Sequence, residues 1–179
     1  VSGFFYNRFL PGWDEERIGG RISLGKQITK WLSFTTAFRL ESIELSRFAT
    51  VTPLSLITEV NGTNFLSTVR AAISHDTRDS SFLPTEGHFA EFGFEQAFGD
   101  FTYPRFEILG SQHFTVRQRP DGGGRHIVSI HGQANWTDSG TPLFERYFAG
   151  GYQSFRGFAF RGVSPRAGGI RVGGDTMLL

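Results

Sequence analysis

The sequence contains no cysteine. That excludes a disulfide framework, a thiolate metal cluster and a catalytic thiol, and it leaves the redox compartment undecided. No apolar run reaches the roughly 18 residues that a membrane-spanning helix needs. Lysine is almost missing: of 18 basic residues only Lys26 and Lys30 are lysines, and against 17 acids the net charge is +1. With no basic excess to meet phosphates, the chain as a whole is not a nucleic-acid binder. The opening Val1-Ser2-Gly3-Phe4-Phe5-Tyr6 has no Met, no basic stretch and no apolar stretch of a signal peptide, and it reads as the middle of a strand.

What is present is phenylalanine. Twenty Phe in 179 residues argue against disorder, yet mean hydropathy is negative at −0.21, so the apolar residues must be spread thinly between polar ones. Period-2 alternation does this. Ile18, Gly20, Ile22 and Leu24 share one parity, and Arg17, Gly19, Arg21 and Ser23 the other. Successive side chains of an extended strand point to opposite faces, so one face is apolar and the other carries arginine. The same pattern recurs with Phe34, Phe38 and Leu40 against Arg39 and Glu41, with Val69 and Ile73 against Arg70 and Asp76, and with Phe92 and Phe94 against Glu91 and Glu95. It continues with Phe106, Ile108 and Phe114 against Arg105, Glu107 and His113, and with Val128, Ile130 and Trp136 against His131 and Asn135. Phe4 to Phe9 and Val172 to Leu179 read as incomplete strands.

Turn residues separate these runs: Pro11-Gly12, Gly25-Lys26, Asn61-Gly62, Pro84-Thr85-Glu86-Gly87, Gly99-Asp100 and Pro120-Asp121-Gly122-Gly123-Gly124. No stretch shows a capped helical period. The expectation is an all-β, antiparallel chain with strands of about 10 residues or more. Two geometries fit. The apolar face is a protein core, or it meets lipid while the charged face lines a wet lumen. Strand length favours the second, because membrane strands need about 9–11 residues and soluble strands average about 5–6. Soluble ligand-binding barrels alternate too, so pattern alone leaves both open.

Residues 139–172 break the rhythm. The segment holds Arg146, Arg156, Arg161, Arg166 and Arg171, seven aromatic rings from Phe144 to Phe160, and repeated glycines. A connection this long without regular structure is usually functional, and one this aromatic must fold back and bury rings. It contains Glu145-Arg146-Tyr147-Phe148-Ala149-Gly150-Gly151, then Phe155-Arg156-Gly157-Phe158. Upstream lie Asp76-Thr77-Arg78-Asp79 and Phe82-Leu83-Pro84-Thr85-Glu86-Gly87.

These motifs, in this order, resemble those of the BamA-type outer-membrane assembly family, also called the bacterial surface antigen family. Phe155 stands where the family pattern has a β-branched residue. The resemblance covers residues 65–179 by motif and 1–64 by pattern. It implies an antiparallel transmembrane β-barrel of about sixteen strands, of which residues 1–179 form a central fragment, about strands five to twelve. It also implies a bacterial outer-membrane location, no enzymatic activity, no cofactor, and a role in inserting and assembling other outer-membrane proteins. Its expected partners are the lipid bilayer, nascent outer-membrane proteins and accessory assembly subunits. A same-family polypeptide transporter of the two-partner secretion type is the alternative; a passive diffusion barrel or soluble ligand-binding barrel fits the long loop less well.

Arg156 is the expected functional residue of the loop, presenting a planar fork of donors to an acid on the inner wall; the resemblance implies that this acid lies on the strand that follows, outside this sequence. Gly157 lets the backbone approach closely or take positive φ, and Phe155 and Phe158 pack alongside. Glu145, Gly150 and Gly151 complete the loop motif, and Asp76, Arg78, Asp79, Pro84 and Gly87 shape a turn. Other constellations carry less. His75 with Asp76 and Asp79 reads better as turn capping than as a metal site. His113 and His131 make an incomplete ligand set. Glu91 and Glu95, facing Arg105 and Arg117, read as salt-bridged rather than catalytic.

Overall fold

The computed structural model describes every residue except Gly122, Gly123 and Gln153. Alternation becomes strand as expected. β1 (Ser2–Phe9), β2 (Asp14–Gln27), β3 (Leu32–Ser46), β4 (Gly62–Asp76), β5 (Gly87–Gly99), β6 (Tyr103–Gln118) and β7 (Arg125–Thr137) follow one another, each antiparallel to the last. A short helix, α1 (Leu54–Val60), sits in the β3–β4 connection. After β7 comes a 3-10 turn (Leu143–Glu145), a small hairpin of β8 (Arg166–Ala167) and β9 (Ile170–Arg171), and then β10 (Thr176–Leu178), which pairs with β7. The main sheet therefore has eight strands in the order β1-β2-β3-β4-β5-β6-β7-β10, the number that the resemblance implies. The sheet is open: β1 and β10 are its two edges.

The two faces invert the arrangement of a soluble protein. On one, Ile18, Leu24, Phe65, Phe92, Ile108 and Ile130 are exposed. On the other, Glu15, Arg17, Glu41, Thr68, His113 and Asn135 are buried. A soluble sandwich buries its apolar face; a membrane barrel turns that face outward to lipid and keeps polar groups within. No helix among the described residues is long and apolar enough to cross a membrane.

Connections also differ between the ends of the strands. Residues 10–13, 47–61, 100–102 and 138–175 join strands at one end; residues 28–31, 77–86 and 119–124 join them at the other. The apolar core sits at the first, or loop, end. Trp13, Ile43, Leu45, Val60, Leu66, Tyr103, Leu143, Phe144 and Ile170 cluster there, drawing the long loop against the β1–β2 and β3–β4 connections.

Two local expectations need correction. Gly25 and Lys26 do not turn the chain; they lie inside β2, paired with Thr35 and Phe34, and the reversal comes at residues 28–31. The chain also has helical structure in α1, which at seven residues is too short to show a period and carries no side-chain cap. The expected turn at Gly122-Gly123-Gly124 falls largely outside the described residues.

Candidate functional site

The inner face places arginine and glutamate side by side on neighbouring strands, and the long loop lowers one carboxylate among them. Glu145, at the end of the 3-10 turn, is 7% exposed. Its Oε1 accepts from Arg17 Nη1 at 2.5 Å, and its Oε2 accepts from Arg105 Nη2 at 2.9 Å. Arg39 Nη2 lies 3.8 Å from the same Oε2. The backbone joins in. Arg17 Nη2 donates to the Phe144 carbonyl at 3.1 Å, and Arg105 Nη2 donates to the Glu145 carbonyl at 2.6 Å. Arg17 comes from β2, Arg39 from β3 and Arg105 from β6, so one loop residue ties together strands far apart in the sheet.

The arginines are themselves balanced. Arg17 Nε donates to Glu15 at 2.6 Å, Arg39 pairs with Glu41 at 3.1 Å, and Arg105 pairs with Glu95 at 3.3 Å. Burial alone would push the Glu145 carboxyl up, but the charges of Arg17, Arg105 and Arg39 outweigh it and hold it at about 2. Buried charge is tolerated only when paired and hydrogen-bonded, and this network meets that condition. Deeper along the same face, Arg70 bridges Glu91 and Glu107, each at 3.0 Å. Thus Glu91 and Glu95 are salt-bridged, as expected, but Glu91 takes Arg70 instead of Arg117, which lies beyond a β-bulge at Thr115/Arg117.

Beyond this anchor the loop closes on itself. Tyr147 and Gly174 exchange backbone hydrogen bonds, and Val163 N donates to the Ala149 carbonyl at 3.0 Å, so the two legs run together. Gly150 has φ of +116°, and a Cβ there would collide with the backbone of Ala159, Arg161 and Gly162. Only glycine fits that crossing. Arg161 forms a second attachment. Its guanidinium carbon is 3.7 Å from the Phe148 ring centre, 5.2 Å from that of Trp13 and 5.5 Å from that of Phe160. Burial among the rings lowers its pKa to about 10, with Glu15 raising it and Arg8 and Arg17 lowering it further.

The tip is held differently. Arg156 is exposed, with its guanidinium 4.7 Å from the Tyr152 ring centre. Phe155 and Phe158 stand edge to face at 6.4 Å, and both are exposed. Gly157 takes positive φ (+90°), but nothing lies within 4 Å of the Cβ position, so of the two expected uses only the conformational one applies. No ion pair joins Arg156 to a carboxylate among the described residues.

The turn motif behaves as a built turn. Asp79 accepts from the backbone N–H groups of Ser80, Thr85 and Glu86 and from the Thr85 hydroxyl at 2.6 Å. The Thr85 bonds, with those of Glu86 and Ser80, hold its carboxyl well below the usual range. Arg78 grips Asp76 with two nitrogens, at 2.9 and 2.7 Å. Gly87 has φ of +94° and lies against the Thr77 backbone, where a Cβ would not fit, and Pro84 lies within the turn closed by these bonds. No group of three metal-ligating side chains occurs among the described residues. His113 and His131 do meet, edge to face at 5.3 Å. The residues that sequence reasoning left unassigned are Arg17, Glu15 and Glu41. Their signal was present as charge on the inward parity of β2 and β3.

An open antiparallel sheet, apolar outside and ionic inside, with a long loop clamped to its inner face, defines a class of membrane barrel. The Omp85 superfamily domain matches residues 4–179, and the chain belongs to that superfamily. Among curated proteins it is similar to the outer membrane protein assembly factor BamA of Nitratidesulfovibrio vulgaris, with 29% identity over 189 residues. That match covers 98% of this chain and 23% of the relative, so the chain spans about a quarter of the relative's length. Among solved structures it resembles BamA from Haemophilus ducreyi lacking POTRA domains 1–3, with a TM-score of 0.77 at 15% identity. The superposition covers 97% of this chain and 38% of that one, and it shows the shared fold.

Proposed function

We propose that this chain is part of an outer-membrane β-barrel that inserts and assembles other outer-membrane proteins. The barrel sits in the bacterial outer membrane, its apolar face in the bilayer. It works without enzymatic chemistry and without a cofactor or nucleic acid. Its substrates are nascent outer-membrane proteins, and accessory assembly subunits act with it. The observation that supports this reading best is the clamp at Glu145, where Arg17, Arg39 and Arg105 fix the loop base within the lumen face.

The test uses the complete protein in proteoliposomes, with an unfolded outer-membrane protein added from denaturant. Folding is read as the heat-modifiable shift of the added protein. The expected result is faster folding than in protein-free vesicles. No acceleration by a barrel that is itself heat-modifiable would overturn the proposal. Passage of an exported polypeptide across the vesicle without insertion would instead favour the secretion reading.

A further inference from the structure

We infer that the turn end of the outer face holds the anionic headgroup of a phospholipid, gripped by Lys26 and Lys30 beside Trp31. The chain's only two lysines both lie here. Lys26 is on the outward parity of β2, opposite Phe34, and Lys30 is in the β2–β3 turn. Both are exposed, and neither meets a carboxylate among the described residues. That sets them apart from Arg17, Arg39, Arg70 and Arg105 on the inner face, each of which is paired.

The surroundings hold the Lys30 cation in place. Lys30 Nζ lies 4.3 Å from the centre of the Trp31 ring, which is 41% exposed. Gln27 Nε2 donates to the Lys30 carbonyl, and the Thr29 hydroxyl accepts from the N–H groups of Trp31 and Leu32, so the turn is fixed. The Trp31 carbonyl accepts from Asp76 N at 2.8 Å, joining the turn to the end of β4. Leu32 faces His75 across that junction, on the outward side. His75 Nδ1 is 2.9 Å from His88 Nε2, which adds two ring systems able to hydrogen-bond. The nearby acids are occupied, Asp76 by Arg78 and Asp79 by the turn it closes. These groups lie on β2 to β5 and their connections, and each of those strands is bonded on both sides, so the patch does not arise from the open edges of the sheet.

The chemistry fits an interface. Lysine lays its apolar stem along a greasy surface and extends its ammonium to the headgroup level, and an indole ring prefers the same layer. Short turns face the periplasm in bacterial barrels, which puts this patch at the phospholipid leaflet. At the opposite end of the same face Glu16 stands directly opposite Glu44, so outward charge changes sign along the strands.

This inference rests on the bilayer reading of the outer face. The test titrates the complete protein, refolded in detergent, with phosphatidylglycerol or phosphatidylcholine and reads retained lipid by native mass spectrometry. The wild type should retain phosphatidylglycerol preferentially, by about fivefold for each lysine. K26Q/K30Q should lose the preference and K26R/K30R should keep it, while excess inorganic phosphate displaces nothing. Undiminished preference in a heat-modifiable K26Q/K30Q barrel would overturn the inference, as would displacement by phosphate. Retention of neither lipid, with no heat-modifiable form in any lipid, would instead bring down the bilayer reading beneath it.

Discussion

The base and the tip of the long loop use the same residue types, arginine, aromatic rings and glycine, and they are held in opposite ways. At the base Glu145 is buried among three guanidinium groups that come from three different strands. At the tip Arg156 is exposed, and its guanidinium lies over a ring of its own loop, Tyr152. Between them Arg161 sits in a cage of Trp13, Phe148 and Phe160. Attachment thus weakens from ionic to cation–π to local along the loop. The difference separates two tasks. The base uses buried charge to fix where the loop hangs, and the tip leaves Arg156 exposed, with no ion pair to a carboxylate among the described residues.

The comparison breaks most sharply at its ionic end. Glu145→Ala would leave Arg17, Arg39 and Arg105 without their shared carboxylate in a buried setting. Removing one partner of such a network costs roughly 3–5 kcal/mol. Urea unfolding of the complete refolded barrel should show that loss, and a midpoint unchanged from wild type would mean that the loop base is not anchored by charge.

Acid probes the same contact without mutation. The Glu145 carboxyl titrates at about 2 in the folded protein and near its ordinary 4.5 when unfolded. A folded value below the unfolded one stabilises fully above about 4.5 and is lost as pH falls through about 2. Thermal stability of the wild type should therefore decline across that window. Glu145→Gln should flatten this part of the profile; an identical decline in that variant would assign the acid sensitivity to other carboxylates.

A smaller effect is expected at the aromatic cage. Arg161→Gln keeps a polar side chain but removes the cation from three rings, and desolvated cation–π contacts are worth about 2 kcal/mol. Phe148→Leu should cost less, since two rings remain. Equal stability of Arg161→Gln and wild type would show that the middle of the loop is held by its backbone bonds alone.

These attachments were unequally visible in the sequence. The sheet was legible because period 2 fixes which residues share a face, and that same parity set out the ionic inner surface before any partner was known. Gly25-Lys26 misled because glycine signals a turn by its freedom, whereas here Gly25 merely lies between Leu24 and Lys26 on an unbroken strand. Seven residues of α1 were too few to show a helical period. The anchor at Glu145 was legible only as a motif position. Its partner Arg17 lies 128 residues away, and no local pattern encodes a contact at that separation. Arg156 stood out by its Arg-Gly-Phe setting, which is a local signal.

Arg156 should give the smallest stability effect and the clearest functional one. Its side chain is exposed and its one ring contact among the described residues lies within the same loop, so Arg156→Ala should change unfolding free energy by less than about 0.5 kcal/mol. In cells that depend on the complete protein, however, outer-membrane protein levels should fall while the variant's own insertion and heat-modifiability persist. That split between an intact barrel and a failing output is what a free tip predicts and a structural arginine does not. Unchanged outer-membrane protein levels would remove the tip from the mechanism and leave the loop as a structural strap. A loss of the variant's own folded form would move Arg156 to the anchoring side of the comparison, with Glu145 and Arg161.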